Sequence, residues 1–302
     1  MSNGIVDVVV APEIGRIMAF SLAGRPETSP IWRNPGKPRL GSFGWDAWMN
    51  YGGDKLWPSP QYDWEKRTGG VLPDKAFDHG PYRVTRIKDG IRLIGPESES
   101  YGISVVRDIM LESGKASVIL KDCFVKSARS NKQPFPVAIW GVTQVRPDVT
   151  VFSPFTPLKG LGKHGYSTFD TGENPNCQVR NDLIVVKRLP GKPTKVGAVN
   201  REGWIAALYQ GNLLFTEQFA VGSDGPYLDG GTNAQFYTSN KPEFIEMELH
   251  SCGRRLAPHT IMSRTIVWTL ERLDAKPKHD VESDIIRTTV SRRRIEYADI
   301  LR

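Results

Sequence analysis

The sequence predicts an all-β fold, a large antiparallel sandwich, and three observations carry that expectation. Apolar and polar residues alternate with a period of two along short segments through nearly the whole chain. Glycine and proline, 29 and 22 of 302 residues, punctuate those segments where turns are needed. No long helical pattern alternates with the strands, which argues against a Rossmann fold or a TIM barrel.

The elements follow in chain order. Residues 30–80 are loop-rich and hold Trp32, Trp45, Trp48, Trp57 and Trp64, five of the eight tryptophans. A turn at 77–82 then leads into a strand at Tyr82. Residues 105–111 and 116–125 form a hairpin around Glu112-Ser113-Gly114-Lys115, with Val118, Leu120 and Phe124 on one face. A second hairpin joins 204–209 to 213–216 across Gln210-Gly211-Asn212. A third joins 234–238 to 244–249 across Ser239-Asn240-Lys241-Pro242, and residues 265–270 close the core. The sandwich is expected to span 1–274. A basic tail, 275–302, becomes helix-compatible from Ser283 and is expected to be helical or partly disordered, a segment that a second copy of the chain can bind in a homo-oligomer.

Composition narrows the function. Cys123, Cys177 and Cys252 are odd in number, far apart and without CxxC spacing, which excludes a disulfide framework or a zinc knuckle. The start has no basic leader followed by an apolar stretch, so no signal peptide is expected, and no run reaches the ~18 apolar residues of a membrane span. A cytoplasmic protein without a membrane partner is the expectation. The net charge of +7 is concentrated late in the chain, notably at Arg287 and Arg292-Arg293-Arg294. No zinc-finger spacing, helix-turn-helix signal or aromatic–basic signature accompanies it, so no nucleic-acid partner is expected.

Two segments carry chemistry. In Asn50-Tyr51-Gly52-Gly53-Asp54-Lys55-Leu56-Trp57-Pro58-Ser59-Pro60-Gln61, paired glycines permit backbone shapes closed to other residues, and prolines stiffen the exit. Asn50, Asp54, Lys55 and Gln61 offer hydrogen bonds to hydroxyls, while Trp57 and Trp64 offer flat apolar surfaces to the C–H face of a sugar. The second segment is 244–250. Its period of two sets Ile245, Met247 and Leu249 on one face and Phe244, Glu246, Glu248 and His250 on the other, where two carboxylates and an imidazole can serve as acid and base. His79, in a turn, is a further acid/base candidate. Neither a metal-ligand spacing nor a cofactor motif is present: Gly160-x-Gly162-x-x-Gly165 lacks the strand and helix a phosphate loop requires.

A family resemblance adds to this. The opening 8–17, the Asn50–Gln61 segment, the stretch from Asn131-Lys132-Gln133-Pro134 to Ile139-Trp140-Gly141-Val142-Thr143-Gln144, and Glu246-Met247-Glu248 together resemble galactose mutarotase-like proteins, in particular an uncharacterised bacterial branch with an Asn-Tyr-Gly-Gly-Asp-Lys-x-Trp-Pro motif. The likeness covers roughly residues 5–272. It implies a supersandwich of two large sheets with a concave sugar-binding face. It also implies aldose 1-epimerase-like chemistry, in which a glutamate takes the anomeric proton and a histidine protonates the ring oxygen. Glu248 best matches the base, with Glu246 its competitor. The strand 138–144, where the acid is expected, holds no histidine, so His79, His250 or Asp54 must replace it. His79-Gly80 resembles the His-Gly of sugar-phosphate mutarotases, which binds substrate.

The expected function is thus a carbohydrate-binding protein, an epimerase-like isomerase acting on a sugar or acidic sugar derivative. Its cleft would lie between the Trp57 loop and the 244–250 strand, lined also by Arg107, Trp140 and Gln144. The alternatives are a non-catalytic sugar-binding or regulatory module, and a lyase in which Lys55 or Arg107 neutralises a uronate carboxylate.

Overall fold

The computed structural model describes residues 1–36, 49–128, 134–169, 174–275, 277 and 282–301. Trp45, Trp48, Asn131, Lys132 and Gln133, singled out above, lie outside the described residues. The first strands are β1 (Val6–Ala11), β2 (Arg16–Leu22), β3 (Asp54–Ser59), β4 (Arg83–Ile87), β5 (Gly90–Glu97) and β6 (Ile103–Leu111). Next come β7 (Ser117–Lys126), β8 (Pro136–Val145), β9 (Thr150–Pro154), β10 (Ser167–Thr168), β11 (Cys177–Arg180), β12 (Leu183–Lys187) and β13 (Thr194–Ala198). The last are β14 (Trp204–Tyr209), β15 (Leu213–Phe219), β16 (Ala234–Thr238), β17 (Ile245–His250), β18 (Arg254–Arg255) and β19 (Ile261–Arg272). Short helices α1 (Trp64–Thr68) and α2 (Lys75–Asp78) follow β3, and α3 (Glu282–Glu296) lies near the C-terminus.

These strands build two antiparallel sheets, as an all-β sandwich requires. The first has nine strands in the order β1-β2-β3-β8-β17-β16-β13-β10, with β18 attached to β8. The second has ten, in the order β11-β12-β9-β14-β15-β19-β7-β6-β5-β4. All three expected hairpins form, as β6–β7, β14–β15 and β16–β17. The closing segment is longer than its alternation suggested, because β19 runs for twelve residues between β7 and β15. Its central part is covered on both faces, so Val267 and Trp268 are both buried and the period of two fades. Between the sheets, Phe20, Phe215 and Trp268 meet edge to face or tilted, with ring centres 5.3–6.1 Å apart.

The C-terminal segment takes the helical form expected for it, as α3, but its apolar side is not left free for a second copy of the chain. Ile286 and Val290 of α3 pack on the outer side of the second sheet, against Phe152, Leu183, Val185, Trp204, Leu208 and Leu214. Tyr297 and Leu301 extend that contact to Val267. Arg287 pairs with Glu202, and Arg293 with Glu271 at 3.1 Å. The apolar side of the helix is spent within its own chain, because the outer face of β9, β12, β14 and β15 is itself apolar and must be covered.

The interior also holds charge. Arg107 of β6 reaches Asp54 of β3 at 2.5 Å and Asp122 of β7 at 2.8 Å. Arg264 of β19 binds Asp122 at 3.2 Å and donates to the Leu249 carbonyl at 2.7 Å. This guanidinium fills the space a side chain at position 141 would need: a Cβ on Gly141 would lie 2.0 Å from Arg264 Nη2. Glycine at 141 therefore lets a charge bridge tie the two sheets.

Candidate functional site

The site is built on the face of the nine-stranded sheet turned away from the sandwich interior. Cross-strand partners share a face, so the registers assemble it row by row. Lys55, Val142, Glu248 and Gln235 form one row, and Trp57, Trp140 and His250 another. Gln144, Glu246, Tyr237 and Lys195 form a third. The glycine pair delivers the chain to β3: Gly52 and Gly53 have φ of 86° and 78°, and a Cβ on Gly53 would lie 2.7 Å from the Ile17 carbonyl. Asn50 shapes the same turn, its Oδ1 accepting from the Gly52 amide at 3.1 Å.

Glu248 sits at the centre and is fully buried. Its Oε2 accepts from Trp140 Nε1 at 2.9 Å and from Lys195 Nζ at 3.1 Å, while Oε1 has no hydrogen-bond partner. Burial pushes its carboxyl up to about 7, against the pull of Lys195 and with a further push from Glu246. Glu246 accepts from Gln144 Nε2 at 2.8 Å and lies 3.8 Å from Lys55 Nζ. Lys55, itself buried, stands 4.3 Å over the Trp57 ring, and desolvation lowers its ammonium to about 8. His250 stacks on Trp140 with ring centres 5.3 Å apart, its Nδ1 3.3 Å from Ser59 Oγ. Burial, reinforced by Lys195 and Arg264, holds its imidazole well below the usual range and hence neutral.

The tryptophans form a floor. Trp57 meets Trp64 and Trp140 edge to face at 5.4 and 5.3 Å. Its Nε1 donates to Asp78 Oδ1 at 3.0 Å, an oxygen that Arg16 also binds at 2.7 Å. Trp64 donates to the Pro58 carbonyl at 2.8 Å, which fixes α1 against the floor. At the rim, Lys195 Nζ lies 5.5 Å over the ring of Phe169, which is 40% exposed.

The structure thus gathers Glu246, Glu248, His250, Lys55, Trp57, Trp140 and Gln144 on one face. It separates Asp54 and Arg107 from them. Asp54 is one residue from Lys55 and therefore points the opposite way, into the interlayer pair with Arg107. Neither lines the outer face, which corrects the expectation that they bind substrate and that Asp54 replaces the acid. Gln61 is exposed beyond the end of β3, and Trp64 lies within the floor. His79, at the end of α2, holds Asp78 Oδ2 at 3.2 Å through Nδ1.

Sequence reasoning missed Lys195, Gln235, Tyr237, Asp78 and Phe169. Gln235 and Tyr237 were within reach, since the β16–β17 hairpin places them opposite Glu248 and Glu246. Lys195 offered no local signal, because β13 joins the sheet only through β16. Among the described residues no group of three or more His, Cys, Asp or Glu side chains is arranged to hold a metal ion. A cavity of about 710 Å³ lies elsewhere, lined by Asp148, Asn176, Lys187 and Tyr209. None of its described lining residues carries a buried polar atom without a partner, as Glu248, Lys55 and His250 of the outer face do, so we take that face as the candidate site.

A family model described as a domain of unknown function, DUF4380, matches residues 1–271. Among solved structures the chain is similar to a galactose mutarotase related enzyme from Lactobacillus acidophilus, with a TM-score of 0.54 and 9% identity over 92% of this chain and 99% of that one. It is also similar to an α-N-acetylgalactosaminidase from Bifidobacterium bifidum, with a TM-score of 0.47 and 11% identity over 97% of this chain and 38% of that one. No curated protein matches in sequence. The first likeness identifies the fold as galactose mutarotase-like. No helix among the described residues is long and apolar enough to cross a membrane.

Proposed function

We propose that this chain, which belongs to the DUF4380 family, binds a sugar on the outer face of its nine-stranded sheet and that Glu248 acts there as the base of an aldose 1-epimerase-like isomerisation. One observation carries the reading: Glu248 is buried with one oxygen held by Trp140 and Lys195 and the other unpartnered. A buried carboxylate oxygen without a donor is costly unless a ligand supplies one, and the anomeric hydroxyl of an aldose is such a donor. A carboxyl poised at about 7 is matched to taking that proton near neutral pH. The tryptophan floor supplies the apolar surface that a sugar ring's C–H face needs. The three cysteines are unpaired, which suits a reducing, cytoplasmic setting.

The test is the approach of freshly dissolved α-anomers to anomeric equilibrium, followed by polarimetry across a panel of aldoses and aldose phosphates. The protein is expected to accelerate this for at least one sugar, and Glu248→Gln to abolish the acceleration, a loss of 100-fold or more. Calorimetric binding without acceleration would assign the chain to the non-catalytic sugar-binding class. An unsaturated product absorbing in the ultraviolet from a uronate would assign it to the lyases.

A further inference from the structure

The unpartnered polar atoms of the outer face are unequal in kind. Glu248 Oε1, Gln144 Oε1 and Gln235 Oε1 are buried acceptors without donors. The two amides are oriented without ambiguity, because their Nε2 atoms donate to Glu246 at 2.8 Å and to the Asp229 carbonyl at 3.0 Å. Against these acceptors stands a donor, Lys55 Nζ, 1% exposed and without a hydrogen bond. His250 Nε2 is also unpartnered.

We propose that Lys55, rather than a histidine, donates the proton to the ring oxygen of the bound sugar. The inference rests on the reading of Glu248 as base. Glu248 takes the proton of the anomeric hydroxyl, and the oxygen's electron pair closes the C1 carbonyl as the bond from C1 to the ring oxygen breaks. The pair released onto the ring oxygen takes a proton from Lys55 Nζ, leaving a neutral amine. After rotation about the C1–C2 bond the steps reverse: the amine recovers its proton as the ring closes, and Glu248 returns the other to the carbonyl oxygen. No proton is gained or lost over the cycle.

The groups facing Lys55 make it suited to both halves. Desolvation and Arg16 of β2 weaken its hold on the proton, while Glu246 of β17, Asp78 of α2 and Asp54 of its own strand retain it. The balance, about 8, leaves the group protonated at neutral pH yet ready to part with the proton. The histidines are less able. His250 is neutral, and a neutral imidazole that gave up its one N–H would become an anion in a buried pocket. His79 is bound to Asp78, behind Trp57. Lys195 is engaged by Glu248, whose charge holds its proton more firmly than usual.

The experiment is the pH profile of anomeric relaxation with the full chain, for wild type, Lys55→Met and Lys55→Arg, alongside calorimetric affinity for the same sugar. We expect a wild-type profile that declines above about pH 8. Lys55→Met is expected to lose 100-fold or more in rate with affinity held within tenfold. Lys55→Arg is expected to lose rate as well, since a guanidinium keeps its proton. A wild-type rate that stays flat from pH 7 to 10, which needs no variant to fold, overturns the proposal, as does wild-type relaxation by folded Lys55→Met. Both leave Glu248 as base intact if Glu248→Gln is dead. Absence of any wild-type acceleration overturns the two together.

Discussion

At the scale of single residues, the outer face leaves several buried polar atoms without partners. Trp140 and Lys195 satisfy one oxygen of Glu248 and leave the other open, so the carboxylate is held in place with one acceptor unused. The indole N–H stabilises the charged form of Glu248 and therefore opposes the upward push of burial. Removing it in Trp140→Phe keeps the aromatic floor but is expected to raise the Glu248 carboxyl by about one unit. The acidic limb of the relaxation profile would then move to higher pH. A limb that stays in place in the folded variant would mean that Glu248 is not the group titrating there. Lys55 shows how little separates an outward side chain from an interior one. Its neighbour Asp54 is buried as well and points in the opposite direction, and only the parity of the strand tells them apart.

At the scale of elements, β17 behaves as its alternation indicates, with Ile245, Met247 and Leu249 inward and Glu246, Glu248 and His250 outward. β8 does not alternate, since both of its faces are covered and almost every residue is buried. The helix α3 is the element whose role only packing could decide. Its loosely spaced Ile286 and Val290 find a place on the second sheet, so Ile286→Ala is expected to destabilise the fold by about 2–5 kcal/mol through the cavity it leaves. Denaturant unfolding measures this. A change in oligomeric state with stability untouched would show instead that the helix serves a second chain.

At the scale of the whole molecule, the two sheets are joined by charge as well as by apolar contact. Asp54, Asp122 and Glu217 share the interlayer with Arg107 and Arg264, three acids facing two guanidiniums. Burial and the nearby Asp54 push the Glu217 carboxyl up to about 8 from its ordinary 4.5, so it stays protonated at neutral pH. The folded chain therefore holds a proton that the unfolded chain has released between about pH 4.5 and 8. Stability contributed by this group is present below that window and is lost as pH rises through it. Glu217→Gln, which fixes the neutral form, is expected to gain on the wild type by a few kcal/mol (at most ~1.4 per pH unit) between pH 5 and pH 8. Denaturant unfolding at the two pH values reads the difference. An equal gap at both would show that Glu217 ionises in the fold.

The sequence by itself determined the β architecture, the three hairpins and the division of β17 into an apolar and a polar side, because each follows from contacts a few residues apart or from a period of two. The turn into β3 and the packing of Trp57 with Trp64 were legible for the same reason: paired glycines and neighbouring tryptophans are local signals. The tertiary structure alone decided that Lys55 turns to the outer face beside Glu246 while Asp54 and Arg107 face the interior. It alone brought Lys195 and Gln235 to Glu248 from distant parts of the chain, and turned the basic tail into a cover for the second sheet. The physical reason is that alternation sorts a strand's side chains into two sets. When both faces of a sheet are buried, only the partner across the layer reveals which set faces the interior and which faces out.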